Sequence, residues 1–146
     1  MVKTSKTTKK RDPSQFSVAK RWTPRLAKHW TPVSRAFLEH FASLKPPLTA
    51  AEAMLVVQLI SFKWDESNPF PSVATLAARM GCGERNVRKM LRKLEAVGYV
   101  VREARVGTSN LYELSGLFRK LEQLVPDEAK IVSLSERRSD PAAMEA

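Results

Sequence analysis

Residues 71–114, PSVATLAARMGCGERNVRKMLRKLEAVGYVVREARVGTSNLYEL, decide the reading of this 146-residue chain. Val73, Leu76, Ala77 and Met80 recur at i, i+3, i+4 and i+7, which predicts a short helix over 73–80. Ser72 precedes it with a hydroxyl suited to capping the first free amides. Gly81 stands where a helix stops in the left-handed conformation, Cys82 is the small apolar plug of the turn, and Gly83 opens a second helix running to about Val97. In that helix Val87, Leu91 and Leu94 fall in a narrow arc flanked by Met90 and Val97. At about 100° per residue Arg85, Lys89 and Arg92 lie opposite, with Arg88 on one flank and Asn86 and Lys93 on the other. Gly98 ends the helix, Tyr99–Glu103 reads as a strand, Arg105–Asn110 as a turn freed by Gly107, and Leu111–Leu114 as the return strand. Tyr99 and Tyr112 occupy hairpin positions suited to the core.

Working outward, Phe37, Leu38, Phe41 and Leu44 give one apolar stripe to a helix over 34–44, closed by Lys45-Pro46-Pro47. Thr49 and Glu52 then form the S/T-x-x-E capping box of a helix reaching about Trp64. That helix is apolar almost all round and is expected to be the central pillar. Asp65–Pro69 is a polar loop. After the hairpin, Ser115–Val125 is a short amphipathic helix with Leu117, Phe118, Leu121, Leu124 and Val125 on one side. It either folds back on its own domain or pairs with a second subunit; it is too short for an independent coiled coil. A homodimer through the flanking helices is therefore an expected partner arrangement. Near the N-terminus Trp22-Thr23-Pro24 recurs as Trp30-Thr31-Pro32, too few copies for a repeat architecture, and each Trp is expected to anchor onto the main domain. The expected layout is a disordered basic arm over 1–20, a main domain with flanking helices over 21–125, and a flexible acidic tail over 126–146, in which Ile131, Val132 and Leu134 form a small docking motif.

The formal net charge is +10, unevenly spread. Residues 1–35 carry +9, 36–70 carry −2, 71–110 carry +5, 111–125 are neutral and 126–146 carry −2. Both positive blocks suit a polyanion, held through phosphate contacts and counterion release; the bland alternative is a solvated surface. The start lacks the apolar run of a signal peptide, and no segment approaches the ~20 apolar residues of a membrane span, so a cytoplasmic location, on nucleoid or plasmid, is expected and a membrane partner is not. The single Cys82 excludes an internal disulfide and fits a reducing compartment. With His29 and His40 the only histidines there is no metal-ligand set, and no G-x-x-x-x-G-K-[ST] loop occurs. No cofactor and no enzymatic activity are expected.

The pattern P-S-x-x-x-L-A-x-x-M-G-x-x-x-R-x-V-x-x-x-L-x-x-L-E-x-x-G-Y-V, followed by a basic hairpin ending in N-L-Y-E-L, resembles the winged helix-turn-helix domains of bacterial, plasmid and phage DNA-binding proteins. That class includes GntR-like and MarR-like regulators and replication initiators, and the resemblance covers about residues 30–114. It implies a mainly α fold with a small β-hairpin wing, and a non-catalytic binder of double-stranded DNA. The helix over about 84–97 would enter the major groove, and the wing over about 102–110 would lie on the backbone or minor groove. Arg85, Asn86, Arg88 and Lys89 would read or approach bases, since Arg suits guanine and Asn adenine. Arg92 and Lys93 would hold phosphates. Ser72 and Thr75 at the first helix, and Arg102, Arg105, Thr108, Ser109 and Asn110 on the wing, complete the expected contacts. At Gly83 the chain departs from the usual Ser or Thr cap, which weakens that cap by a few tenths of a kcal/mol. The implied roles are transcription regulator or replication or maintenance factor of a plasmid or phage. The alternative is a winged-helix protein-interaction module in a larger nucleoprotein complex. RNA is disfavoured because stacking aromatics do not cluster on the basic helix face.

Overall fold

The computed structural model describes residues 17–126. The expected arm up to residue 16 and the tail from 127, with Ile131, Val132 and Leu134, lie outside the described residues. The chain divides into two compact units between Pro32 and Val33.

The first unit holds helix α1 (Val18–Arg21) and a 3-10 turn over Leu26–Lys28. The Thr23 hydroxyl accepts the Leu26 amide at 3.2 Å, and its carbonyl accepts the Ala27 amide at 2.9 Å. Pro24 sits where a missing N–H costs nothing. Trp22 is 69% and Trp30 52% exposed, against the expectation of two packed anchors. Neither helical segment contributes a buried residue, so no apolar pocket forms among them to receive an indole.

The second unit runs through α2 (Arg35–His40, extended by a 3-10 turn over Phe41–Ser43), α3 (Ala50–Ser61), α4 (Val73–Met80), α5 (Glu84–Ala96), β1 (Val101–Glu103), β2 (Leu111–Glu113) and α6 (Ser115–Glu122). The order of elements is the one expected from sequence, and the differences lie at their ends. α3 stops at Ser61 because the Phe62 and Lys63 amides turn to the carbonyls of Leu59 and Ile60, three residues back. Trp64 is then left 90% exposed. β1 begins two residues late because the Tyr99 and Val100 amides both go to the Leu94 carbonyl. α6 ends before Leu124 and Val125, whose amides make i−3 bonds ahead of Pro126, leaving both side chains exposed.

One apolar cluster joins the layers. Leu55, Val56 and Leu59 of α3 are fully buried with Leu76 of α4, Val87 and Leu94 of α5, and Leu117 of α6. Each such side chain contributes on the order of 1.5–3 kcal/mol. The pillar is less uniform than its composition suggests, since Met54 is 49% exposed. Tyr99 and Tyr112 are buried as expected, and burial pushes both phenols above their ordinary range. The Tyr99 hydroxyl donates to the Pro46 carbonyl at 2.6 Å, tying the loop before α3 to the end of α5. The strands pair antiparallel with Arg102 opposite Tyr112, and the Tyr112 amide donates to the Pro69 carbonyl at 2.9 Å. That last bond fastens the loop before α4 to the hairpin.

Two contacts hold α5 in place. α6 packs so closely on the end of α5 that a Cβ at Gly116 would collide with the Gly98 carbonyl oxygen, and the Leu117 amide donates to the Tyr99 carbonyl at 3.2 Å. In the last turn of α5 itself, Lys93 donates its ammonium at 2.6 Å to buried Glu52, which also completes the expected capping box with Thr49. Burial pushes the Glu52 carboxyl up, but the hydrogen bonds from Lys93 and Thr49 and the Lys93 charge outweigh it, so its pKa lies below the ordinary 4.5.

Substituting Gly116→Ala should destabilise the fold by about 1–3 kcal/mol, through forced displacement of α6. A urea midpoint equal to that of the unsubstituted chain would refute this close approach. Lys93→Met should cost about 1–3 kcal/mol near neutral pH by leaving a buried carboxylate short of a partner. Because the folded Glu52 pKa is depressed, its contribution is complete above about 4.5 and fades as pH falls through the folded value. The stability gap between the two proteins should therefore narrow in acid, as read from melting temperature between pH 7 and pH 3.

Candidate nucleic-acid interface

The interface is built on the turn between α4 and α5. Ser72 caps α4 as expected, its Oγ accepting the Thr75 amide at 3.1 Å and lying 2.8 Å from the Thr75 hydroxyl. Both hydroxyls are thus engaged with one another at the helix start, and both residues are half-buried. Gly81 takes φ 64°, ψ 33°, which lets its amide reach the Ala78 carbonyl and the Cys82 amide the Ala77 carbonyl. This double closure is the left-handed helix stop that glycine permits. Cys82 is half-buried against the core, as expected of a turn plug. Gly83 opens α5 from extended backbone without a side-chain bond, so Glu84 is the first-turn group that complements the helix N-terminus. The far end of α5 closes the same way, with Gly98 at φ 79° and its amide on the Glu95 carbonyl.

α5 buries Val87, Leu91 and Leu94 and leaves Arg85, Asn86, Arg88, Lys89, Arg92 and Lys93 exposed. These cations fall into distinct electrostatic groups. Arg88 pairs with Glu84 one turn back at 2.8 Å, and Lys93 pairs with Glu52. Arg92 makes only a long 3.4 Å bond from Nε to the Arg88 carbonyl. Arg85 and Lys89 have no bonded partner among the described residues. Asn86, Lys89 and Lys93 line one side of a hollow of about 430 Å³, with Thr49, Ala51 and Glu52 at the start of α3 and Cys82 in the turn.

The wing residues divide similarly. Arg102 on β1 lies 3.0 Å from the Glu95 carboxylate of α5. Arg105 is half-buried: its Nε donates to the Ser109 carbonyl at 2.8 Å, and its guanidinium stands 5.1 Å from the Phe70 ring centroid. Thr108 is exposed, and Ser109 and Asn110 are half-buried. Val106, at the tip beside Gly107 (φ 72°), is fully exposed. Every expected residue from 85 to 110 is therefore carried by α5 or the hairpin, while Ser72 and Thr75 sit at the start of α4. Sequence reasoning missed Glu52 as the partner of Lys93 and Phe70 as the partner of Arg105. An acid in an otherwise apolar helix was the available signal for the first; the second pairing spans two loops and left none.

Among the described residues no group of His, Cys, Asp and Glu is arranged to hold a metal ion, and no helix is long and apolar enough to cross a membrane.

Residues 47–100 match the family described as the helix-turn-helix domain. The chain matches none of the curated proteins. Among solved structures it is similar to the N-terminal domain of DnaD protein from Geobacillus kaustophilus HTA426, at 26% identity and a TM-score of 0.54, over 80% of this chain and 96% of that one. RV1404 from Mycobacterium tuberculosis matches at 17% identity and a TM-score of 0.45, over 76% of this chain and 74% of that one. Segment 47–100, which runs from the cap of α3 to the end of α5, matches a helix-turn-helix domain, and with the hairpin after it the described residues form a winged helix-turn-helix fold.

Proposed function

We propose that this chain binds double-stranded DNA without catalysis, inserting α5 into the major groove and laying the 102–110 hairpin on the backbone or minor groove. One observation carries the reading: Arg85 and Lys89 are exposed, without internal partners, on the face of α5 opposite Val87, Leu91 and Leu94. Arg85, Asn86, Arg88 and Lys89 approach base edges, and Arg92 holds phosphate. Lys93, bonded to Glu52, contributes mainly by fixing the angle at which α5 is presented. Arg102 is paired with Glu95 of α5 and Arg105 with the Ser109 carbonyl and the Phe70 ring, so Thr108 and the exposed tip are the groups that meet the duplex first. The likeness to the DnaD N-terminal domain leans the biological role toward replication rather than transcription regulation. A homodimer through the flanking helices would match a two-fold site.

A second reading, a protein-interaction module within a larger nucleoprotein complex, is favoured by a separate feature. An open apolar groove of about 670 Å³ is lined by Phe37, Ile60, Leu117, Phe118 and Val125. Duplex binding separates the two readings. A pool of duplex fragments should be retained at about 50 mM salt, with affinity falling steeply as salt rises; no retention at that salt would sink the DNA reading.

On a selected site, Arg85→Ala should lose about 1–3 kcal/mol of preference over random duplex. Arg92→Ala should weaken cognate and random DNA alike and lower the salt slope by about one. Competition binding of the two variants on both duplexes checks this, and an equal loss on both for Arg85→Ala would remove it from the reading set.

A further inference from the structure

The first unit carries a chemistry that the duplex interface does not use. Its described residues, SVAKRWTPRLAKHWTP, interleave two exposed indoles with exposed cations: Lys20, Trp22, Arg25, Lys28, Trp30. No acidic residue occurs between Asp12 and Glu39, so residues 17–32 carry no carboxylate of their own. The Thr23-capped turn stands between the two tryptophans and fixes the backbone that spaces them. Large exposed aromatics set among cations are the two elements by which proteins hold unpaired nucleotides: a flat π surface for the base and a charge for the phosphate.

We propose that residues 17–32 bind single-stranded nucleic acid, with Trp22 and Trp30 stacking on unpaired bases and Lys20, Arg25 and Lys28 contacting phosphates. A duplex hides its base faces inside the stack, so the indoles gain nothing from it beyond the general attraction of the cations. A lipid surface would call for a continuous apolar face, and beside the two indoles the segment exposes only Leu26 as a large apolar side chain. Stacking accepts every base, so the binding is independent of sequence, in contrast to the discrimination proposed for α5. The proposal does not depend on the duplex reading. A chain with both properties would hold duplex and adjacent unpaired strand together.

The test uses the full chain with Trp64→Phe, a change at a 90% exposed side chain, so that fluorescence reports only Trp22 and Trp30. Thymidine and uridine oligonucleotides of about 15 nucleotides should each quench it if the backbone sugar is immaterial; quenching by one alone identifies DNA or RNA as the ligand. Anisotropy of labelled strands should show Trp22→Ala and Trp30→Ala each weakening single-strand binding about 5- to 100-fold. Trp22→Phe and Trp30→Phe should recover most of that loss, because a phenyl ring still stacks. Affinity for a mixed-sequence duplex should stay unchanged in all four variants. Absence of quenching by both oligonucleotides, undiminished single-strand affinity in the Ala variants, or an equal loss on duplex and single strand would each overturn the proposal. If the duplex also fails to bind the unsubstituted chain, the α5 reading falls while this one stands or falls on its own quenching.

Discussion

The position of α5 depends on a carboxylate kept away from water. Glu52 is buried in the first turn of α3, where it answers the Thr49 amide and also receives the Lys93 ammonium. An acid taken out of water costs several kcal/mol unless its lone pairs are filled. Here two different elements fill them, so the cheapest arrangement of the carboxylate is also the one that sets α5 against α3. Apolar contacts between Leu55, Val56, Leu91 and Leu94 supply adhesion, but adhesion is tolerant of sliding and rotation. A directional 2.6 Å bond between charged groups is not, and it lies on the flank of α5 whose neighbouring face presents Arg85 and Lys89.

The same logic extends along the basic surface. Residues 71–110 hold eight cations against three acids, yet two of those acids, Glu84 and Glu95, engage particular cations rather than dilute the field. Glu84 takes Arg88 and Glu95 takes Arg102, while Arg79 stacks 4.3 Å from the Phe62 ring. These exposed pairs add little to stability, about 0–1 kcal/mol each. Their effect is positional: they hold long side chains near the edges of α5 and leave its outward ridge to the cations without a carboxylate.

The sequence was most legible where one residue type answers one backbone need. Ser72 and Thr49 as caps, Gly81 and Gly98 as left-handed stops, and the Val87–Leu91–Leu94 arc each follow from local chemistry, and each is present in the structure. What stayed hidden involves groups far apart in the chain. Glu52 and Lys93 are 41 residues apart and Tyr99 and Pro46 are 53 apart, so no periodicity links them. Element ends were displaced wherever a terminal amide had a competing acceptor, as at Tyr99 and Val100, both drawn to the Leu94 carbonyl. The exposure of the two tryptophans has a different cause. Size and hydrophobicity argue for burial, but Trp22 and Trp30 stand in a segment with too few apolar neighbours to enclose them.

The hairpin shows how structure alters the meaning of a charged residue without changing its identity. By sequence alone Arg105 is a cation on a turn, and a turn beside a basic helix invites a phosphate. In the fold its Nε closes the turn on the Ser109 carbonyl and its guanidinium lies by Phe70, which is itself on the loop fastened to β2 through the Pro69 carbonyl. Moving Arg105 outward to a phosphate would open the turn and release that loop together. The charge therefore acts from where it is, at the base of the turn, while Val106 and Thr108 form the outermost surface. An apolar tip with a half-buried cation behind it slides along a sugar-phosphate edge more readily than it locks to one base. In the proposed complex, discrimination then belongs to α5, and the hairpin contributes orientation.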